Sequence, residues 1–160
     1  MMFQVRLKGL VNLLNKLAGV GSVFRSTSLW AEIASGLRAK MLVRTAAGTD
    51  ADGRSFKPYS DEYALFRSKH GHPTGKVNLF WSGTMLSSID YEAKPTGVRL
   101  YFSPTQAPPL PGRQDDGPRS SAKAYYLQTR TGFERQFFAF SKQDAEAIVR
   151  TIKRRVEENF

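Results

Sequence analysis

Apolar side chains recur along this chain with two different spacings, one typical of helices and one typical of strands. Leu10, Leu13, Leu14 and Leu17 follow the i, i+3, i+4, i+7 pattern of one helix face. Residues 3–8 instead alternate apolar and polar side chains, which predicts a short strand. The chain is therefore expected to open with a strand followed by a short helix.

A longer helical pattern follows and predicts a helix over about residues 28–46, with Ser26 or Ser28 as its cap. Its expected buried face comprises Trp30, Ile33, Ala34, Leu37 and Met41, widened by Leu29 and Leu42. Glu32 near its start and Arg44 near its end suit the helix dipole. We expect the sheet of the protein to pack on this helix.

The stretch G-T-D-A-D-G-R-S-F-K-P-Y-S, residues 48–60, separates the helical first part from the rest. Asp50, Asp52 and Gly53 favour a tight turn, because aspartate bonds nearby backbone and glycine accepts positive φ. Phe56 and Tyr59 provide apolar anchors. These features predict an ordered loop rather than a slack linker.

Ser60 is the expected N-cap of a helix over about 61–69, because Asp61 and Glu62 follow it in the first turn. Gly71 is expected to end that helix.

The segment L-F-W-S-G-T-M-L-S-S-I, residues 79–89, begins with three large apolar side chains. Leu79, Phe80 and Trp81 are expected to be buried anchors. Ser82 is the expected N-cap of a single helical turn that runs through Met85 and Leu86.

Two runs of alternating residues then predict a β-hairpin. Residues 89–93 form the first strand, residues 98–102 the second, and Lys94-Pro95-Thr96-Gly97 the turn. Asp90, Glu92 and Arg99 point outward, which predicts one wet face.

Residues 103–122 break all periodicity, since five of the eight prolines lie between Pro104 and Pro118. Such a long aperiodic segment is unusual inside a compact domain, and indicates a mobile loop or an arm that orders on a partner. We favour the arm.

The C-terminal part contains an apolar segment at 124–129 and an expected buried strand at 134–140, with Phe137, Phe138 and Phe140. Ser141, with Asp144 at the capping-box position, predicts the start of a last helix. Its expected buried face comprises Ala145, Ile148, Val149, Ile152 and Val156.

These elements predict an α+β fold in one domain over residues 1–160. A small antiparallel β-sheet packs against a long helix of the N-terminal half and a C-terminal helix, and a long Pro-rich loop interrupts the chain.

The formal net charge is +10, and the chain has no cysteine. The charge suggests a nucleic-acid or other acidic partner, but no run of five like charges occurs, so a nucleic-acid-binding protein remains an alternative rather than the main hypothesis. Without cysteine there is no disulfide framework or zinc-thiolate site. No membrane span or signal-peptide pattern is present, and a cytoplasmic origin is expected.

Three groups of residues suggest site chemistry. Asp50 and Asp52 fit two positions of a calcium loop, but Gly48 and Tyr59 occupy positions that need carboxylates. A small nuclease that uses both aspartates with a metal therefore remains only a minor alternative.

His70 and His72 form an H-x-H pair, but they lie in a predicted turn with no third ligand nearby. Ser82, Ser87 and Ser88 lack the base and orienter that a nucleophilic serine needs. We therefore predict no catalytic residue, cofactor or metal, and a protein that is not an enzyme.

The order of these motifs resembles the bacteriophage virion morphogenesis family of Mu-like and related phages. The opening V-R-L-K-G-L-V-N-L-L-N-K-L is similar to the strand, glycine and leucine-striped helix of many neck proteins. The segment 48–60 resembles the family's G-T-D-P-D-G-x-x-W-x-P-L-S, and 79–89 resembles its L-x-x-T-G-x-L-x-x-S-I. E-R-Q-F-F-A-F-S-K-Q-D, residues 134–144, is similar to P-A-R-P-F-L-G-L-S-x-x-D.

The resemblance covers nearly the whole chain, with two departures. Glu134, Arg135 and Gln136 replace small and proline positions, and the segment 103–122 is longer than expected. The resemblance implies a structural virion protein for tail completion or head–tail joining at the neck. It also implies a hexameric or dodecameric ring as the assembly, other neck, connector or tail-tube proteins as partners, and contact with DNA in the lumen. The expected location is the virion, after assembly in the host cytoplasm.

Overall fold

The computed structural model describes residues 21–104, 120–129 and 135–158. The strand expected at 3–8 and the helix expected at 10–17 lie outside these residues, as do residues 105–119 of the Pro-rich segment. The elements in chain order are α1 (Gly21–Phe24), α2 (Thr27–Ala46), α3 (Asp61–Lys69), α4 (Thr84–Ser87), β1 (Ile89–Lys94), β2 (Gly97–Phe102), α5 (Ser120–Thr129) and α6 (Lys142–Glu157).

The fold is α+β, as the sequence predicted. Strands β1 and β2 form a two-stranded antiparallel sheet that packs against the long helix α2 and the C-terminal helix α6. The described residues form two compact units, each built from separated parts of the chain. Unit 1 comprises residues 21–39, 90–101 and 142–158, and unit 2 comprises residues 40–89, 102–104, 120–129 and 135–141.

The core of unit 1 contains the predicted face of α2. Leu29, Trp30, Ile33, Ala34 and Leu37 are all buried. Trp30 Nε1 donates to the carbonyl oxygen of Phe24 at 2.8 Å, which gives the buried indole N–H its acceptor.

The buried face of α6 is turned from the predicted one. Ile148 and Ile152 are buried as expected, but Ala145 and Val149 are exposed and Asp144 is buried. The ion pairs of unit 1 account for this rotation of the buried face, because Arg154 and Arg155 both bind the Glu32 carboxylate of α2. Arg155 Nε donates to Glu32 Oε2 at 2.9 Å. Val156, also expected in the buried face, is half-buried.

The predicted β-hairpin is confirmed. Burial alternates along β1, where Ile89 is buried while Asp90, Glu92 and Lys94 are exposed. Leu100 is the buried residue of β2.

The predicted ordered loop after α2 is also confirmed, in unit 2. Asp50 Oδ1 accepts from the backbone N–H groups of Asp52 and Arg54, both at 2.9 Å. An antiparallel bridge joins Thr49 to Ser55, and Gly53 has φ 80°. The short side chain of Asp50 therefore replaces backbone partners inside the turn.

Helix α3 spans the predicted residues. Ser60 caps it by accepting from the N–H of Tyr63 at 3.4 Å, and Gly71, with φ 73°, follows the C-terminal cap residue His70.

Two expectations for residues 79–89 are wrong. Phe80 is 48% exposed, whereas Leu79 is buried and Trp81 is half-buried. The helical turn α4 begins after Gly83, whose left-handed φ of 81° makes it the N-cap in place of Ser82. The reversal at Gly83 brings the Phe80 ring over the glycine, where a Cβ would lie 2.8 Å from Phe80 Cε2.

Two further expectations fail in the C-terminal part of unit 2. Residues 120–122, assigned to the Pro-rich segment 103–122, begin helix α5, which packs against α4. Residues 135–140 form no strand. The reason is visible at Arg44, whose guanidinium donates to the carbonyls of Phe137 and Ala139 and so takes acceptors that a neighbouring strand would need.

Phe137 and Phe138 are nevertheless buried, as expected. Phe102 packs against both, with ring centroids 6.2 Å and 4.8 Å apart. Phe140 is only half-buried.

We expect Gly83→Ala to lower the free energy of unfolding by about 2–3 kcal/mol, because alanine resists a left-handed φ and its Cβ displaces the Phe80 ring. Gly53→Ala is the matched control, since Gly53 has almost the same φ but nothing within 4 Å of an added Cβ. It should lose only about 1–2 kcal/mol. Equal losses in urea denaturation would contradict a role for the contact with Phe80.

Candidate functional site

A cavity of about 370 Å³ lies within unit 2. Four parts of the unit line it: α3 with the two residues before it, the segment 79–81, helix α5 and Arg135. The lining residues are Tyr59, Ser60, Tyr63, Arg67, Leu79, Phe80, Trp81, Lys123, Tyr126, Leu127 and Arg135. Aromatic rings and three cationic side chains dominate this list.

The cationic residue Arg67 is the most deeply buried of the three, at 1% exposure. Its Nη1 donates to Phe80 O at 3.0 Å, and its Nη2 and Nε donate to Pro73 O at 3.2 Å and 3.3 Å. Its guanidinium carbon lies 4.6 Å from the ring centroid of Tyr59 and 5.7 Å from that of Trp81. Backbone carbonyls and ring faces therefore hold this buried charge.

The helical register of α3 explains how Arg67 reaches this position. Ser60, Tyr63 and Arg67 are spaced i, i+3, i+7, so they lie on one face of the helix. The Tyr63 and Tyr59 rings meet edge to face at 5.2 Å, which fixes the wall beside the guanidinium.

Arg135 also approaches the Tyr59 ring, with its guanidinium carbon 5.5 Å from the centroid. Its Nη2 donates to Lys57 O at 3.2 Å and Pro58 O at 3.3 Å, which attaches the residues after α5 to the loop before α3. Burial lowers the pKa of Arg135. Its buried Nε has no hydrogen-bond partner in the part of the chain that the structure describes.

Two guanidinium groups therefore lie close to the Tyr59 ring. Burial raises the pKa of its hydroxyl, although Arg67 opposes that rise. The nearby backbone of Asn78 also lowers the pKa of Tyr59, although the Tyr59 hydroxyl makes no hydrogen bond to a described residue. A neutral phenol thus forms part of the wall.

Lys123 is the third cation and differs from the two arginines. Burial lowers the pKa of its ammonium group, and the nearby Arg67 lowers it further. Lys123, Tyr126 and Leu127 share one face of α5 through their i, i+3, i+4 spacing. Within the described residues, Lys123 has no hydrogen-bond or ion-pair partner.

The electrostatics of the cavity are one-sided. Three of the described lining residues are cationic and none of them is acidic. Unit 1 differs, because there Glu32 binds both Arg154 and Arg155. The arrangement can attract an anion that has an apolar body. It has no carboxylate or imidazole base among the described lining residues.

The aspartates that suggested metal chemistry lie elsewhere in unit 2. Asp50 uses its Oδ1 inside the turn, and Asp52 lies 3.8 Å from Arg54 at the surface. In the residues covered by the structure, no three histidine, cysteine, aspartate or glutamate side chains are placed to hold a metal ion.

The two histidines pack on Trp81 rather than on a shared ion site. The His72 ring centroid lies 4.0 Å from that of Trp81, and the His70 ring lies 4.4 Å from Phe66. His70 Nδ1 is 2.8 Å from the carbonyl oxygen of Phe66, so it donates there. Both imidazole rings therefore pack against Trp81, which is one of the residues that line the cavity.

The three serines considered as nucleophiles make local hydrogen bonds. Ser87 Oγ donates to Thr84 O at 3.1 Å and Ser88 Oγ donates to Met85 O at 2.8 Å. Ser82 Oγ lies 2.9 Å from Thr84 Oγ1. They shape the turn around α4.

The cavity was not predicted from the sequence. Tyr59 was expected to be an apolar anchor and Arg135 departs from the pattern that the chain resembles, but no role was predicted for Arg67 or Lys123. The available signal was the spacing of Ser60, Tyr63 and Arg67, which places an arginine on the inner face of a short helix.

Comparison of the chain with protein-family models, with curated proteins and with solved structures finds no match. The described helices include none with the length and apolar character needed to cross a membrane.

We expect Arg67→Met to lower the free energy of unfolding by about 2–4 kcal/mol, because the carbonyls of Pro73 and Phe80 lose their buried donors. Lys69→Met, an exposed change on the same helix, should stay within about 0.5 kcal/mol of wild type. Urea denaturation measures both. An Arg67→Met protein as stable as wild type would show that these hydrogen bonds contribute no net stability.

Lys123 should also make stability depend on pH. Its folded-state pKa lies below the ordinary 10.5, so its protonation opposes folding at low pH. That penalty shrinks as pH rises through the folded pKa and disappears above 10.5. The stability of Lys123→Gln relative to wild type should therefore be greatest near neutral pH and decline toward pH 10.5.

Urea denaturation across this alkaline range measures the difference. Lys76→Gln is the control, because Lys76 is exposed and outside the cavity. A difference between wild type and Lys123→Gln that stays constant with pH would contradict the assignment.

Proposed function

We propose that this protein is a structural virion protein of a tailed bacteriophage that acts in tail completion or head–tail joining at the neck and assembles as a ring. The observation that carries the proposal is the resemblance of four motifs, in the same order, to the virion morphogenesis family. The motifs begin at residues 5, 48, 79 and 134.

The local structure of three motifs supports an architectural role. Residues 48–60 form the hydrogen-bonded turn and the cap of α3. Residues 79–89 form the reversal at Gly83, the helical turn α4 and the start of β1. Residues 135–144 supply buried phenylalanines and the first turn of α6. Their side chains build turns, caps and core, which suits a protein that acts through its shape.

Exposed apolar side chains are available for subunit contacts. In unit 2, Val43 is 69% exposed, Leu65 58% and Tyr126 53%. Scattered exposed apolar residues are ordinary, but aromatic and aliphatic side chains also form the centres of protein interfaces.

A ring needs two different surfaces on each subunit, because its contacts are heterologous and closed. The proposed partners are further copies in a hexameric or dodecameric ring, and other neck, connector or tail-tube proteins of the virion. Residues 104–119 are the proposed arm, because residues 120–122 of the Pro-rich segment belong to α5. The prolines of the arm limit the entropy it loses on ordering. The net charge of +10 suits contact with DNA in a lumen.

The same net charge favours one alternative, a basic protein whose main role is binding nucleic acid. Binding of that kind loses affinity steeply with added salt, whereas a ring held by apolar contacts does not.

Solution mass across protein concentration, at low and high salt, tests the ring. We expect a discrete ring in the intact protein and its loss in a protein that lacks residues 104–119. Unchanged thermal unfolding of the shortened protein would confirm that the fold survives. A monomer at every concentration would count against self-assembly, and DNA titration of that monomer would test the alternative.

A second pair of variants locates the contact. Val43→Gln combined with Leu65→Gln should shift the protein toward monomer, because both changes remove exposed apolar surface. Ser68→Gln, at an exposed polar position of α3, should leave the mass distribution unchanged. Equal behaviour of the two proteins would exclude Val43 and Leu65 from the ring contact.

A further inference from the structure

We propose that the cavity of unit 2 binds a small organic anion, namely a carboxylate carried on a flat aromatic body. The inference goes beyond the proposed virion role and does not depend on it.

The charge of the described residues around the cavity is unbalanced. Arg67 and Arg135 give their hydrogen bonds to neutral carbonyls, which orient the guanidinium groups but leave their charge uncompensated. The ion pairs found among the described residues involve other side chains. Cations gathered in a partly desolvated cleft raise the local concentration of anions.

Lys123 differs from the two arginines in its hydrogen-bond partners. The two arginines are held by backbone acceptors, whereas all the donors of Lys123 lack a partner within the described residues. A carboxylate placed beside this ammonium group would supply an acceptor and stabilise the charged form that burial disfavours. Lys123 is therefore the expected anchor.

The size and the aromatic lining of the cavity suit a flat organic ligand. The volume of about 370 Å³ is within the range of small-molecule sites. Tyr63, Phe80, Trp81 and Tyr126 line it with aromatic surface, and Leu79 and Leu127 add aliphatic surface. A flat aromatic body can contact such walls, whereas a bare inorganic anion would leave them unused.

The occupant we propose is a free small molecule. A carboxylate on a protein side chain has the same chemistry and is the competing source. The cavity is sized for a single compact group, which favours the free ligand over a peptide that would extend beyond it.

Isothermal titration calorimetry of the intact protein with 2-naphthoate tests the proposal. We expect saturable binding, with at least about tenfold weaker binding of 2-naphthamide, which has the same shape without the charge. Inorganic phosphate should bind at least about tenfold more weakly, because it lacks the apolar body. Absence of naphthoate binding, or equal affinity for the amide or for phosphate, would overturn the proposal.

Three variants separate a site from general charge attraction. Lys123→Gln should weaken naphthoate binding about tenfold or more, and Lys123→Arg should keep most of it. Lys76→Gln makes the same change of charge at an exposed position outside the cavity and should leave affinity unchanged. Equal losses in Lys123→Gln and Lys76→Gln would overturn the assignment to this cavity. Circular dichroism of each variant establishes that it is folded.

A capped Phe-Asp dipeptide distinguishes the two sources of the carboxylate. Weaker binding of the dipeptide than of naphthoate supports the free ligand. Binding at least about tenfold tighter than naphthoate would overturn it and identify a peptide carboxylate as the occupant.

Discussion

The burial of the Arg67 guanidinium is the interaction on which the rest of unit 2 depends. A cation taken out of water must find acceptors, and none of the nearby described side chains offers a carboxylate. The chain therefore brings the carbonyls of Pro73 and Phe80, and the faces of Tyr59 and Trp81, to one point. This requirement sets the course of the loop after α3 and leaves a cavity whose walls are aromatic and whose charge is positive.

Local chemistry made much of the fold predictable. The turn at Asp50, the cap at Ser60 and the alternating hairpin strands each depend on neighbours in sequence, and each occurs where expected. The failures depend on distant partners. Residues 135–140 have the composition of a strand, but Arg44, about ninety positions earlier, takes two of their carbonyls. Phe80 is exposed because the reversal at Gly83 directs its ring.

The cavity was harder to predict than the fold for the same reason. Arg67 and Lys123 are ordinary residues for helix surfaces, and nothing adjacent to them in sequence signals burial. Their meeting requires α3, the segment 79–81 and α5 to come together. The proposed virion role depends on motifs that build structure. Three of those motifs also supply lining residues of the cavity, whereas Arg67 and Lys123 lie outside the motifs. The same local structure can therefore serve both an architectural scaffold and a recognition pocket.

The small size of the sheet has a consequence for aggregation. With only β1 and β2 in the described sheet, each strand has an outer edge that no other described strand pairs. Open edges invite pairing between molecules, and charged side chains oppose it. On β1, Asp90 is exposed and Glu92 forms an ion pair with Lys94 at 3.0 Å. These charges oppose edge-to-edge pairing, because a second molecule that adds a strand there would have to desolvate them.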